Sequence, residues 1–113
     1  MEFKASNARV WYDADNSTVL FEGSFRLSTD EYGDVSKLLQ DVLDTGVKSV
    51  KFDLTALEFL NSSGINVIAK FTIQVRNLGD VNLAIVGNDS IPWQSKSLPN
   101  LKKLFPALDL VIG

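Results

Sequence analysis

Phe59-Leu60-Asn61-Ser62-Ser63-Gly64-Ile65 joins an apolar, strand-like run to the most regular helical pattern in the chain. Asn61, Ser62 and Ser63 are three consecutive good helix N-caps, because each has a short side chain whose oxygen accepts a bond from an orphan amide of the first turn. A helix needs one such cap. At least one of the other side chains is therefore left at the positive end of the helix dipole, where backbone amides favour negative charge such as a phosphate. This strand-turn-helix junction is the candidate functional site.

Downstream, the helical wheel from Ser63 to Leu78 places Gly64, Ile68, Phe71, Val75 and Leu78 in one arc, with Ile65, Val67 and Thr72 at its edges; Gly79 ends the helix. Asn66, Lys70, Ile73 and Asn77 point away from that arc. Ile73 is an apolar residue among polar neighbours, and on a helix that begins at the candidate site these outward positions are candidates for partner contact. Upstream, Val47 to Leu54 alternates as a central strand does, so Asp53 is expected at a strand end near the turn. Val81 to Val86 is nearly all apolar, the pattern of a strand covered on both faces.

Towards the N-terminus, Arg9 to Tyr12 and Thr18 to Phe25 read as a hairpin around the polar cluster Asp13-Ala14-Asp15-Asn16-Ser17. Gly23 inside the second run marks a bulge or a close approach of other backbone. Ser28-Thr29-Asp30-Glu31 is a capping box, and Tyr32, Val35, Leu38, Leu39, Val42 and Leu43 form the apolar stripe of a helix stopped by Gly46. After Val86, Pro92 and Pro99 each suit a first helical turn, which predicts a short turn after Ser90 and a separate helix from about Pro99 to Phe105. Trp93 between these prolines reads either as a lid over the core or as an exposed anchor, the lid being the favoured reading. Leu108 to Ile112 completes the pattern as a short last strand. The alternation predicts an α/β fold over residues 1–113 as one domain, with a mixed, mostly parallel sheet of about four to five strands and helices packed against it.

Composition narrows the function. The chain of 113 residues is 45% hydrophobic and 22% charged, an ordinary globular mixture. Acidic residues outnumber basic ones 14 to 11 and no basic cluster exceeds Lys102-Lys103, which argues against nucleic acid or an anionic membrane as main partner. There is no cysteine and no histidine, so disulfides, thiol nucleophiles, Ser-His-Asp and Cys-His triads and the usual zinc and non-haem iron sites are excluded. No metal or cofactor is expected. Ser63 with Lys70 is the one nucleophile–base pairing the sequence offers, and seven residues along a helix separate them by about 10 Å, beyond the reach of a general base. A non-enzymatic protein is expected. Met1 to Ala8 has no apolar signal-like core and no run approaches a membrane span, which points to the cytoplasm.

Phe52-Asp53-Leu54-Thr55, Glu58-Phe59-Leu60-Asn61-Ser62-Ser63-Gly64-Ile65 and Val81-Asn82-Leu83-Ala84-Ile85-Val86 together resemble the STAS domain, the fold of bacterial anti-sigma factor antagonists. The resemblance extends over nearly the whole chain. Asp53-Leu54-Thr55 matches the family's Asp-Leu-Ser strand end, Asn61-Ser62-Ser63-Gly64-Ile65 its Asp-Ser-Ser-Gly-Leu signature, and Gly23 the glycine that ends its second strand. The resemblance implies a serine just before the glycine that is phosphorylated by a kinase doubling as an anti-sigma factor, and reset by a phosphatase. Ser63 takes that position, with Ser62 the lesser candidate, and Asp53 and Arg26 are implied neighbours of the switch. Asn61 replaces the usual aspartate, and Arg26 stands near a position that is often acidic. Both changes remove negative charge beside the switch. A second reading follows from them: an adaptor without phosphorylation, or a subunit of a transporter or stress-signalling assembly.

Overall fold

A computed structural model describes residues Met1–Gly113 throughout. The elements in chain order are β1 (Glu2–Ala5), β2 (Ala8–Asp13), β3 (Thr18–Phe25), α1 (Thr29–Asp44), β4 (Ser49–Leu60), α2 (Ser62–Leu78), β5 (Asn82–Gly87), α3 (Pro92–Leu104) and β6 (Asp109–Ile112). They form one six-stranded sheet whose spatial order is the sequence order, β1-β2-β3-β4-β5-β6. The β1–β2 and β2–β3 pairs are antiparallel, and the remaining three pairs are parallel. The sheet is mixed, as expected, but has six strands rather than four to five.

Each parallel connection moves one strand over in the same direction. A right-handed crossover then has to lay its helix on the same face every time, so α1, α2 and α3 all cover one side of the sheet. Burial follows this rule. On β4 and β5 the side chains of Val50, Phe52, Leu54, Leu83 and Ile85 are buried beneath the helices, whereas Lys51 and Asp53 face the other way and Ala84 and Val86 keep part of their surface in solvent. The apolar run Val81 to Val86 is therefore covered on one face only, contrary to its pattern. At the centre of the core Phe52 stacks on Phe71 of α2 with ring centroids 4.8 Å apart, and tilts against Phe21 of β3 at 5.2 Å. Aromatic pairs at these separations add to the burial of their area.

The helix ends follow their local chemistry. Ser28 caps α1 in a full capping box: the Glu31 amide donates to Ser28 Oγ at 3.2 Å, and the Ser28 amide donates to Glu31 Oε1 at 2.9 Å. Gly79 ends α2 with φ 78°, in the left-handed region that glycine enters without penalty. Leu78, placed by the wheel in the buried arc, is 51% exposed as the last residue of α2, one turn beyond the fully buried Val75.

Two further differences matter for the site. β4 does not end at Leu54 but runs to Leu60, with register shifts against β3 between Leu20 and Glu22 and between Gly23 and Ser24. α3 is continuous through Pro99 instead of starting there. Pro99 and Ser95 are both exposed, so the carbonyl left unpaired by the missing proline N–H turns to water.

Candidate functional site

The junction is built by β3 and β4 ending together. Phe25 pairs with Leu60, and the Asn61 amide donates to the Phe25 carbonyl at 3.3 Å. The chain then turns directly into α2. Of the three candidate caps Asn61 takes the position: its extended backbone, φ −76° and ψ 173°, aims Oδ1 at the Gly64 amide, which donates to it at 3.0 Å. Ser62 and Ser63 become the first two helical residues. Both are exposed and neither hydroxyl has a hydrogen-bond partner in the protein, so two free hydroxyls stand at the positive end of α2.

The cap oxygen is held from a second side by a residue that the sequence pattern presents only as part of an apolar stripe. The Tyr32 hydroxyl of α1 lies within bonding distance of Asn61 Oδ1 and of the Phe25 carbonyl, the latter at 3.1 Å. One hydroxyl carries one proton, so Tyr32 donates to one of these oxygens at a time while the Gly64 amide keeps hold of Oδ1. Gly64 is buried beneath this pair. A Cβ there would run into the Leu60 side chain and stand 2.7 Å from the Tyr32 hydroxyl, so the glycine is required by the close approach of α2 to β4 and α1. Deleting the hydroxyl with Tyr32→Phe is expected to cost about 1 kcal/mol.

Burial pushes the Tyr32 phenol up from its ordinary value of 10.0. The folded chain thus holds this proton more tightly than the unfolded chain. The stability that depends on it is intact below pH 10.0 and is lost as the pH rises through the higher folded value. Urea-unfolding midpoints followed from about pH 8 to pH 12 are expected to fall more steeply for wild type than for Tyr32→Phe.

The other expected site residues divide. Arg26 follows the last residue of β3, and its guanidinium lies 4.4 Å above the Phe59 ring, with no hydrogen bond to Asn61, Ser62 or Ser63. It also lines, with Ser24, Glu31 and Glu58, an open groove of about 540 Å³ at this end of the sheet. Asn66 and Lys70 are exposed on α2, and Ile73 is half-buried. Asp53, expected at a strand end next to the switch, lies within β4 on the helix-free face, seven residues before Leu60, because the strand runs on past Leu54. Its Oδ1 accepts the Thr55 amide at 3.0 Å and the Thr55 hydroxyl at 2.6 Å.

β4 outruns its neighbour. Pairing with β5 ends at Asp53–Val86, so the strand from Leu54 onward has a free edge. Side chains at the start of α3 and just before it close that edge. Gln94 Nε2 donates to the carbonyls of Leu54 at 2.7 Å and Leu57 at 3.0 Å, while its Oε1 accepts the Asn88 amide at 2.7 Å. Asn88 Nδ2 donates to the Thr55 carbonyl at 3.2 Å, and the Trp93 indole N–H reaches the Glu58 and Leu57 carbonyls at 3.1 and 3.3 Å. Trp93 is a lid, as expected, and an edge-strand substitute as well. The sequence carries no signal for Gln94, since a lone glutamine in a helix reads as solvent-facing. The structure gathers no group of acidic side chains suited to a metal ion, and no helix is long and apolar enough to cross a membrane.

No family model matches the chain, and no curated protein does. Solved structures do. A chain of the complex between the diguanylate cyclase SiaD and its activator SiaC from Pseudomonas aeruginosa superposes with a TM-score of 0.72 at 13% identity, over 99% of this chain and 97% of that one. An anti-sigma factor antagonist from Mycobacterium paratuberculosis gives 0.67 at 17% identity, over 95% and 89%. The phosphorylated form of the Bacillus cell fate determinant SpoIIAA gives 0.58 at 13%, over 92% and 90%. With the sequential sheet, the helices on one face and the capped turn at the head of α2, these likenesses establish that the chain has the STAS-like fold.

Proposed function

We propose that the protein is a non-enzymatic regulatory binding module whose docking surface is the head and outward face of α2, Asn61 to Gly64 with Asn66, Lys70 and Ile73, and whose switch is Ser63. The observation that carries this reading is the division of labour at the turn. Asn61 supplies the cap, so Ser63 is exposed with an unengaged hydroxyl on a helix held rigidly by Tyr32 and Gly64. A phosphate added there brings roughly −1.5 to −2 charges to the positive end of α2, a place the domain tolerates but a partner surface fitted to a neutral hydroxyl does not. By likeness to the anti-sigma factor antagonist and to phosphorylated SpoIIAA, the proposed partner is an anti-sigma factor that is also a serine kinase, with a phosphatase to reset the switch.

The neutral Asn61 changes the electrostatics of this switch. With no carboxylate at the cap, the positive end of α2 is more receptive to an anion than it would be beside an acidic cap. The direct test is co-purification of the candidate kinase with wild type, Ser63→Ala and Ser63→Asp. Ser63→Ala is expected to bind as wild type does, and Ser63→Asp to bind about tenfold or more weakly. Equal binding by all three would remove the switch.

The same neutral Asn61 favours a second reading, a constitutive adaptor or assembly subunit that binds without modification. SiaC is an activator of a diguanylate cyclase, so this fold also serves partners of that class. Intact-mass spectrometry of the protein from its native cell separates the two, because a phosphorylated fraction that disappears in Ser63→Ala is incompatible with the unmodified adaptor.

A further inference from the structure

The sheet face opposite the helices is bare, and its composition is not that of an ordinary solvated face. Two rows cross β4, β5 and β6 in register: Lys51, Ala84 and Asp109, then Asp53, Val86 and Val111. Val111 is 55% exposed, and Ala84 and Val86 keep part of their surface in solvent. Past the exposed Asn82, β5 turns Ala84 and Val86 to this face, apolar residues of the kind found where a second layer covers a strand, yet no segment of this chain covers them. Lys51 and Asp109 stand two strands apart, about 10 Å, and neither joins any of the three ion pairs of the fold.

The first of these rows is self-complementary about β5. A two-fold axis running along β5, between two facing sheets, lays β4 of one copy over β6 of the other. Ala84 then meets Ala84 and Val86 meets Val86 on the axis, and each Lys51 meets the second copy's Asp109, twice. An isologous interface requires a patch that is its own complement, and the Lys51–Ala84–Asp109 row supplies one. We propose that the helix-free face is a homodimer interface, packed as two aligned sheets with β5 against β5.

The geometry also sets its strength. The overlap is three strands wide, about 15 Å, and about 20 Å long, roughly 600 Å² over the two copies, which is below the size of a standard specific interface. Asp53 comes to lie opposite the second copy's Val111, and although its Oδ1 is held by Thr55, its partial desolvation opposes association. The dimer is therefore weak and concentration-dependent. Because the axis runs along the strands, strand directions are preserved and both Ser62-Ser63 turns emerge at the same end of the pair. The interface does not depend on whether Ser63 is a switch.

Sedimentation equilibrium from micromolar to millimolar concentration tests this with the full chain. Wild type is expected to dimerise, less so at high salt. Lys51→Glu and Asp109→Lys are each expected to weaken association about tenfold, and the double charge reversal Lys51→Glu/Asp109→Lys to restore it. All these positions lie on the solvent side of the sheet, and circular dichroism checks that each variant folds. The chain has no cysteine, so Ala84→Cys places a single thiol near the axis. A short bis-maleimide is expected to link two copies of Ala84→Cys, and not to do so when Lys51→Glu is added. A wild type that stays monomeric at millimolar concentration overturns the proposal, as does a double reversal that associates no better than either single one.

Discussion

Gln94→Leu is expected to lower the thermal midpoint by about 12 °C, from a loss of about 3 kcal/mol at about 4 °C per kcal/mol for a domain of this size. The substitution keeps side-chain volume, so the loss is not that of a cavity. Gln94 is fully buried and makes three hydrogen bonds, two to carbonyls on the free edge of β4 and one from the amide of Asn88. Leucine satisfies none of them; the Leu57 carbonyl keeps the Trp93 indole, but the Leu54 carbonyl and the Asn88 amide lose their Gln94 partner, and buried polar groups stripped of partners each cost about 1–3 kcal/mol. Gln94→Glu distinguishes hydrogen bonding from packing. A carboxylate cannot donate to the carbonyls of Leu54 and Leu57, and burial raises its pKa, so its protonated form binds them better. The stability of Gln94→Glu is expected to be highest at low pH and to fall as the pH rises through the carboxyl's raised folded value, whereas Gln94→Leu has no such dependence. Differential scanning calorimetry across that range reads both effects. If Gln94→Leu melts within a degree or two of wild type, the edge of β4 does not need this brace.

Gly23→Ala is expected to cost about 3 kcal/mol or more, again about 12 °C, and in a chain of marginal stability to leave much of the population unfolded near 37 °C. Two independent strains add. Gly23 has φ +102°, which an L side chain rarely adopts, and a Cβ there would be driven into the carbonyl oxygen of Asn7. That oxygen is fixed because it accepts the Ser24 amide at 2.8 Å. The neighbour is backbone, so no rotamer change relieves the contact. Gly33→Ala is the control, with open space around its Cβ on an exposed turn of α1 and a gain in helix propensity of up to about 1 kcal/mol. The two alanine variants should therefore move the midpoint in opposite directions.

The residues that were legible in the sequence are those whose role is local. The Ser28–Glu31 capping box and the Gly79 stop of α2 were readable because each is satisfied within a few residues. Gly23 was readable as a close approach, although the approaching Asn7 was not. β1 leaves no signal in the sequence, because an edge strand of four residues needs only Phe3 and Ala5 to turn inward, too few to form a pattern. The far half of β4 is hidden in the sequence because the register shifts near Thr55 and Glu58 break its two-residue period, which also hides that Asp53 lies inside the strand. Gln94 was unreadable for a deeper reason. A buried glutamine is stable only where bare carbonyls await it, and those belong to a strand about 40 residues earlier in the chain. At the turn itself, composition showed three caps where one suffices, but only the Tyr32 hydroxyl and the Gly64 amide, converging on one oxygen, assign that role to Asn61.

The sequential strand order bears on how the protein is made. Each strand pairs only with its immediate predecessor and successor in the chain. No strand waits for a distant segment, which favours rapid folding relative to sheets with long-range pairings. On the ribosome, where the N-terminal part emerges first, β1 to β4 can pair before β5 is translated, and each later crossover adds one strand to a waiting edge. On the growing side one strand edge is exposed at a time and is passed to the next strand until β6, except that the far half of β4 stays bare until Gln94 and Trp93 of α3 reach it.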